Sequence, residues 1–268
     1  MSRLLQQISL SRLVVSLATM LLSVAVVAQE PASGLQQALT VGAYFAAGDY
    51  GEATDTEILY LPLSYEANMG KLGFQLLVPH LRVTGSGSVL INIGGVTRAV
   101  AGTQEATARG IGDSVASLIY RFDPLTETAP FIDFRFDVKI PSADETRSLG
   151  TGETDYSMQL DFTQLLGRTV AFASLGYNFR GKSDLFEGLE DSAFVQLGFA
   201  QPLSTSWNLG VYYDYRERAS AFLVESHELV PYLSWQIDQH WTFSGLLTRG
   251  FTEASADTSV FAQLRFDF

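Results

Sequence analysis

The chain has 268 residues, 47% of them hydrophobic and 17% charged, with a formal charge of −12 and no cysteine. Without cysteine there is no disulfide framework, no lipid-modified N-terminal cysteine, no thiol catalysis and no cysteine–metal chemistry. The balance of 29 acids against 17 bases speaks against nucleic acid as a partner.

The first predicted element is a secretory signal peptide over residues 1–28. Arg3 and Arg12 precede an apolar run from Leu13 to Ala28, and Val26-Val27-Ala28 supplies a small-residue cleavage site ahead of Gln29. The run is short for a membrane-spanning helix, and a retained signal anchor is the alternative. Cleavage removes two of the 17 bases and no acid, so the mature chain 29–268 carries 15 bases, 29 acids and a formal charge of −14. Beyond Ala28 no stretch is apolar for long enough to form a transmembrane helix, so residence in a membrane requires a barrel.

From residue 38 onward, short segments of alternating hydrophobicity recur about every 20 residues with turn-rich gaps between them, as in transmembrane barrels. The predicted strands are 38–46, 56–66, 72–83, 110–122, 129–140, 154–163, 169–180, 191–200, 206–217, 227–237, 240–251 and 258–268. Short gaps alternate with longer ones rich in Gly, Ser and acid, the pattern of an up-and-down antiparallel barrel with short periplasmic turns and long extracellular loops. Inside the gap 84–109, Val89–Ile93 and Val96–Val100 flank Gly94-Gly95 as a hairpin. The preferred reading extends the third and fourth strands above the membrane; two further wall strands, making fourteen, or an infolded plug are the alternatives. Pro62 and Pro79 fall at comparable height in adjacent strands and remove ladder donors, which suggests a weak seam and a side opening for apolar solutes.

The clearest strand is Phe131-Ile-Asp-Phe-Arg-Phe-Asp-Val-Lys-Ile140. Arg or Lys facing lipid at the midplane costs about 2–4 kcal/mol, so Asp133, Arg135, Asp137 and Lys139 must face inward. Neighbouring inner faces contribute Arg121, Gln159, Asp161, Arg180, Asp214, Arg216, Arg265 and Asp267. Two roles compete for this set. Opposite charges pair across strands and fill a narrow barrel, or they form a constriction that selects solutes by charge. The inward aromatics Tyr44, Tyr60, Phe172, Phe194, Tyr212, Tyr232 and Phe261 either form a track for aromatic or amphipathic solutes or fill space. Trp207, Trp235 and Trp241 fall at the periplasmic rim, and Tyr156, Tyr177, Phe179, Tyr215 and Phe251 toward the opposite one, as interface girdles require. A soluble β-sandwich is the contrasting fold.

The last strand, Val260-Phe-Ala-Gln-Leu-Arg-Phe-Asp-Phe268, alternates strictly and ends on Phe. That terminal aromatic is similar to the signal read by the barrel-assembly machinery of the bacterial outer membrane. Catalysis has little support. Of His80, His227 and His240, only His227 has neighbours suited to a triad, and Ser226 and Glu228 flank it in a strand where adjacent residues point to opposite faces. The His-x-Ser-Asn-Gly pattern of twelve-stranded outer-membrane phospholipases is absent. Gly110-Ile-Gly112-Asp113 and Gly150-Thr-Gly152 lack the features of a nucleotide site. Asp184, Glu187, Glu190 and Asp191 read as a solvated loop rather than a calcium site. No cofactor or metal is expected.

Three motifs carry a family resemblance. Gly110-Ile-Gly-Asp-Ser-Val-Ala-Ser-Leu-Ile-Tyr120, Val138-Lys-Ile-Pro141 and Leu149-Gly-Thr-Gly-Glu-Thr-Asp-Tyr156 resemble, in order, the Gly-x-Gly-Asp, Lys-x-Pro and Gly-Thr-Gly-x-x-Asp patterns of the bacterial outer-membrane barrel family named for the meta-pathway of phenol degradation. The resemblance implies an outer-membrane barrel of solute uptake, with aromatic compounds among the solutes, and transfers no binding residue. The expectation is therefore an all-β, twelve-stranded barrel in the outer membrane of a Gram-negative bacterium. It would be in contact with membrane lipid and act as a passive channel for small solutes. A closed structural or surface-interaction barrel, working through loops 84–109 and 181–190, is the alternative; the solute and the oligomeric state are left open.

Overall fold

In a strand, successive side chains leave opposite faces, so period-two patterning becomes a lipid face and a lumen face once the sheet closes. The computed structural model describes residues 34–48, 55–85, 107–144, 147, 149–182, 188–220 and 223–268, with the backbone alone of 89–93 and 96–100. The predicted signal segment lies outside these residues, as do Asp184 and Glu187. The strands are β1 (Gln36–Gly48), β2 (Thr56–Met69), β3 (Leu72–Thr84), β4 (Val89–Ile93), β5 (Val96–Val100), β6 (Thr107–Ile111), β7 (Ser114–Phe122) and β8 (Phe131–Ile140). They continue with β9 (Asp155–Leu166), β10 (Thr169–Phe179), β11 (Ser192–Pro202), β12 (Trp207–Arg216), β13 (Ser226–Gln236), β14 (Trp241–Gly250) and β15 (Thr258–Asp267).

All but β4 and β5 form one antiparallel sheet in which each wall strand pairs with its sequence neighbours. The sheet closes where β1 meets β15, from Ala38 opposite Asp267 to Ala47 opposite Thr258. Since β6 and β7 share one position in the wall, beside β3, the barrel has twelve strands. The hairpin β4–β5 is a separate two-stranded sheet, so it adds nothing to the wall count. Tight turns bracketed by Met69 and Leu72 and by Leu166 and Thr169 contain Gly70 (φ 58°) and Gly167 (φ 66°), backbone that favours glycine.

Two details depart from the sequence expectation. The predicted strand 110–122 is interrupted at Gly112-Asp113, where three residues oppose Val78 and Pro79, one residue too many for a regular ladder. This bulge switches the inward parity from Ala108 on β6 to Val115, Ser117 and Ile119 on β7. The expected weak seam between β2 and β3 is also relocated. That ladder runs unbroken from Glu57 opposite Thr84 to Met69 opposite Leu72, with Pro62 directly opposite Pro79. Two prolines can oppose each other only in a non-hydrogen-bonded pair, so each missing N–H points to the strand on its other side. The ladder gaps fall there, at Gly42–Ala43 of β1 and at the β6–β7 bulge.

The outward face is apolar, with Val41, Leu63, Leu118, Leu160, Leu197 and Leu247 all exposed. At the short-turn end, Trp207 stacks on Trp235 with ring centroids 5.1 Å apart, and Trp241 packs on Phe266 at 4.7 Å. At the long-loop end lie Phe136 against Tyr156 and Tyr177 against Phe179. Aromatic side chains thus rim the apolar band at both ends, as expected for interfacial anchoring.

Candidate functional site

Inside the barrel the side chains are unevenly distributed. One wall, over β3 and β7 to β10, is mostly polar; the other, over β10 to β15 and β1 to β3, carries the aromatic rings, interleaved with buried polar groups such as Gln196, Asn208, Asp214, Arg216, Glu228 and Gln263. The polar wall centres on β8, whose Asp133, Arg135, Asp137 and Lys139 are all buried while Phe134, Phe136 and Ile140 face out. Arg135 is 2% exposed. Its Nε donates to Asp137 Oδ1 at 2.6 Å, and its Nη2 to Ser117 Oγ at 2.6 Å and Gln75 Oε1 at 3.0 Å. On β9, Asp161 Oδ1 accepts from Gln159 Nε2 at 2.7 Å and from Ser174 Oγ. Charges this deeply buried persist only when paired and hydrogen-bonded.

At the long-loop end, the three motif segments meet. Lys139, from the second motif, donates to Thr151 Oγ1 and lies against Asp155 Oδ2, both at 2.6 Å, and reaches Asp113 Oδ2 at 3.4 Å. Asp113 belongs to the first motif; Thr151 and Asp155 belong to the third. Asp113 Oδ1 also accepts from Ala143 N at 3.2 Å, and Ser142 Oγ accepts from Ser114 N and donates to Gly112 O. Gly150 packs so tightly here that a Cβ would stand 2.6 Å from Asp113 Oδ1. The cluster fastens the β8–β9 loop to the bulge between β6 and β7, which is a structural use for all three motifs. Beside it lies a narrow recess lined by Asp137, Lys139, Asp155, Tyr156, Ser157, Asn178 and Arg180.

The remaining predicted lumen charges sit in separate groups. At the short-turn end, Arg265 Nη1 meets Glu66 Oε2 at 2.7 Å and its Nε donates to Asp267 Oδ1 at 2.9 Å. Glu66 accepts from Asn68 Nδ2, and Asn68 Oδ1 accepts from Arg121 Nη2 at 2.8 Å, so a polar belt spans β15 to β7. It crosses β1 above Ala38 and β3 above Gly73, residues small enough to let the long side chains pass. On β12, Arg216 pairs with Asp214 at 2.9 Å, and its guanidinium lies 4.7 Å from the Phe194 ring centroid. Gln196 donates to Asp214. Arg180 lies just beyond β10 at the rim and donates to Ser192 Oγ at 2.9 Å and to the Glu190 carbonyl.

The seven predicted inward aromatics are all buried. The rings of Phe172, Tyr212 and Tyr232 are mutual neighbours with centroids 6.1–6.4 Å apart. Several rings lie over glycines of adjoining strands: Phe194 over Gly176, Phe172 over Gly198 and Tyr232 over Gly210. Each pair is directly opposed in register, so the missing side chain lets the ring lie flat against the wall instead of projecting along the barrel radius.

Ser226, His227 and Glu228 do not converge. Ser226 Oγ bonds Ser255 Oγ, His227 is held by the Tyr213 hydroxyl on the outer face, and Glu228 is buried in the lumen. Among the described residues no cluster of His, Asp and Glu has the makings of a metal site. Sequence reading missed Gln75, Ser117, Ser174, Asp113, Thr151, Asp155, Glu66 and Asn68. Their inward parity was available for Gln75, Ser117 and Glu66, but the cross-strand register that joins them to an arginine was not.

This architecture defines the class as a closed, twelve-stranded, up-and-down antiparallel β-barrel of the transmembrane type. No family model matches the sequence, and no curated protein matches it at a significant level. Among solved structures, the chain superposes on the KdgM porin with a TM-score of 0.52 and 10% identity, over 85% of this chain and 99% of that one. It superposes on the NanC porin with a TM-score of 0.54 and 8% identity, over 85% and 98%. KdgM has also been solved in complex with disordered oligogalacturonate. At these identities the likeness is one of fold.

Proposed function

We propose that the protein is a passive channel of the Gram-negative outer membrane for small amphipathic solutes, those with an aromatic or aliphatic part and a polar head. One observation carries this reading: polar atoms are left without partners on both walls of the lumen. Among the described residues, Arg135 Nη1, Ser157 Oγ and Asp161 Oδ2 on the polar wall, and the hydroxyls of Tyr212 and Tyr232 on the aromatic wall, have no hydrogen-bond partner. Each such buried atom costs about 1–3 kcal/mol if left dry, so a lumen with this many calls for water or solute. A lumen that sets aromatic rings beside polar groups then suits a solute with both an apolar part and a polar head. The porin fold and the solute-bound KdgM complex support the channel reading, and the three motifs support kinship with the phenol meta-pathway barrel family. Membrane lipid around the apolar band, and the barrel-assembly machinery acting on β15, are the partners this reading entails.

The tight filling of the lumen, with Arg135 at 2% and Tyr60 at 0% exposure, favours a second reading, a closed structural barrel. Single-channel recording on the refolded mature protein in a planar bilayer separates the two. Discrete steps, blocked by small aromatic acids and with ion preference altered by Arg135→Gln, support the channel. Silence from a protein shown to be inserted overturns it.

A further inference from the structure

Above the apolar part of β3, the outer wall carries an unneutralised pair of like charges. Arg82 on β3 and Arg109 on β6 are directly opposed in register. Both face outward and are exposed. Like charges directly opposed across a ladder are destabilising unless something between them carries the opposite sign. Among the described residues neither guanidinium has a hydrogen bond or ion pair. The nearest acid on the adjoining strand, Glu57, is opposed to Thr84 and so is diagonal to Arg82, with which it makes no ion pair. A third guanidinium, Arg147, is drawn to the same place by donating to the Arg109 carbonyl at 3.3 Å, and it is paired with Asp144 at 3.3 Å. This cluster stands out on a chain whose formal charge is −12.

Its height is informative. The outward face of β3 reads Leu72, Phe74, Leu76, Val78, His80 and then Arg82. Ten residues at about 3.3 Å each, tilted by about 40°, rise about 25 Å, the height of a typical barrel's apolar band. With Leu72 at one boundary, Arg82 and Arg109 stand at the other, on the long-loop side. Guanidinium forks at that level match phosphate oxygens in a bidentate fashion.

We propose that Arg82 and Arg109 form a binding site on the outer wall for the phosphate of an outer-leaflet phosphorylated glycolipid, with Arg147 as a flanking cation. The proposal rests on the outer-membrane placement above but not on an open pore. A bound phosphate would remove the repulsion within the pair and fix the barrel's vertical position in the leaflet.

The test is a titration of the detergent-refolded mature protein with bis-phosphorylated lipid A, with its dephosphorylated counterpart and with inorganic phosphate, followed by native mass spectrometry. Wild type should bind the phosphorylated glycolipid at least tenfold more tightly than the dephosphorylated one, and inorganic phosphate only weakly. Arg82→Gln/Arg109→Gln should lose that preference. Arg249→Gln, which removes an outward charge on β14 that already donates to the Asp257 carbonyl, should keep it. Equal binding by the double variant and wild type, equal binding of both glycolipids, or inorganic phosphate binding as tightly as the glycolipid would each overturn the proposal. Heat-modifiable gel mobility and insertion into phosphatidylcholine vesicles are scored separately. Failure to insert counts against membrane placement itself, whereas failure of phosphate preference in an inserted protein counts against this site alone.

Discussion

Lys139→Met is the most demanding test of how the rim is held. The substitution keeps the length of the side chain but removes a cation that is 1% exposed and serves two carboxylates, Asp155 at 2.6 Å and Asp113 at 3.4 Å, as well as Thr151. Removing one partner of a buried pair costs about 3–5 kcal/mol because the remaining charge stays buried, and here two remain. With a urea dependence of about 2 kcal/mol per molar, the unfolding midpoint should fall by about 2 M. Fluorescence is a suitable probe, since Trp207, Trp235 and Trp241 all lie at the opposite end and report unfolding of the wall rather than of the loop. Adding Asp155→Asn should restore part of the loss, because the double variant buries one charge fewer. Trypsin should also cut faster after Arg147, in the loop that Lys139 holds down. A loss below about 0.5 kcal/mol, the range of an indifferent surface substitution, would refute the argument.

Gly210→Val places a Cβ 2.3 Å from the Tyr232 ring and should drive it off the wall. A cost of about 1–3 kcal/mol in urea unfolding is expected, together with a smaller unit conductance in bilayers; an unchanged midpoint would contradict the flat-ring packing. In amide exchange followed by NMR in micelles, Gly42, which faces the Pro62 gap, should exchange faster than Ala43, whose amide points to β15, and than Leu61 and Leu63, which bond across the intact β2–β3 ladder. The Asp238 carboxyl is held below its ordinary value by backbone hydrogen bonds from His240 and Trp241 in the β13–β14 turn. Its contribution should be complete above about pH 4, the unfolded aspartate value, and fade as pH falls through the lower folded value. Asp238→Asn should flatten that part of the pH–stability profile, and an identical acid limb in both proteins would argue against it.

The wall was legible in the sequence because lipid leaves so little choice. On β8 and β15 a one-residue slip would turn Arg135 or Arg265 toward hydrocarbon, so parity is fixed by residues within the strand itself. The same logic placed all seven inward aromatics. Parity fails where the backbone inserts a residue. The break at Gly112-Asp113 reads locally as a loop entering a strand, and only the pairing of both flanks with β3 reveals the bulge. The lumen networks were legible as a set of charges but not as circuits. Arg135 and Gln75 are 60 positions apart, and Lys139 finds Asp113 only through the register of β7 on β8. Nor does composition announce that Gly176 exists to receive the ring of Phe194; both residues are ordinary until they are opposed.

The meeting of β1 with β15 sets the order in which the molecule can be built. Ala38 waits for Asp267, and the Gln37 carbonyl for the amide of Phe268, a bond of 3.0 Å between segments about 230 residues apart. Joining ends that distant costs about 5 kcal/mol of chain entropy before any ladder bond repays it. Every other wall contact can form between neighbours as the chain lengthens, yet until the final residues arrive the sheet has two raw edges able to pair with any passing strand. The wall must therefore complete itself late, in one concerted closing, at a site where those edges are shielded.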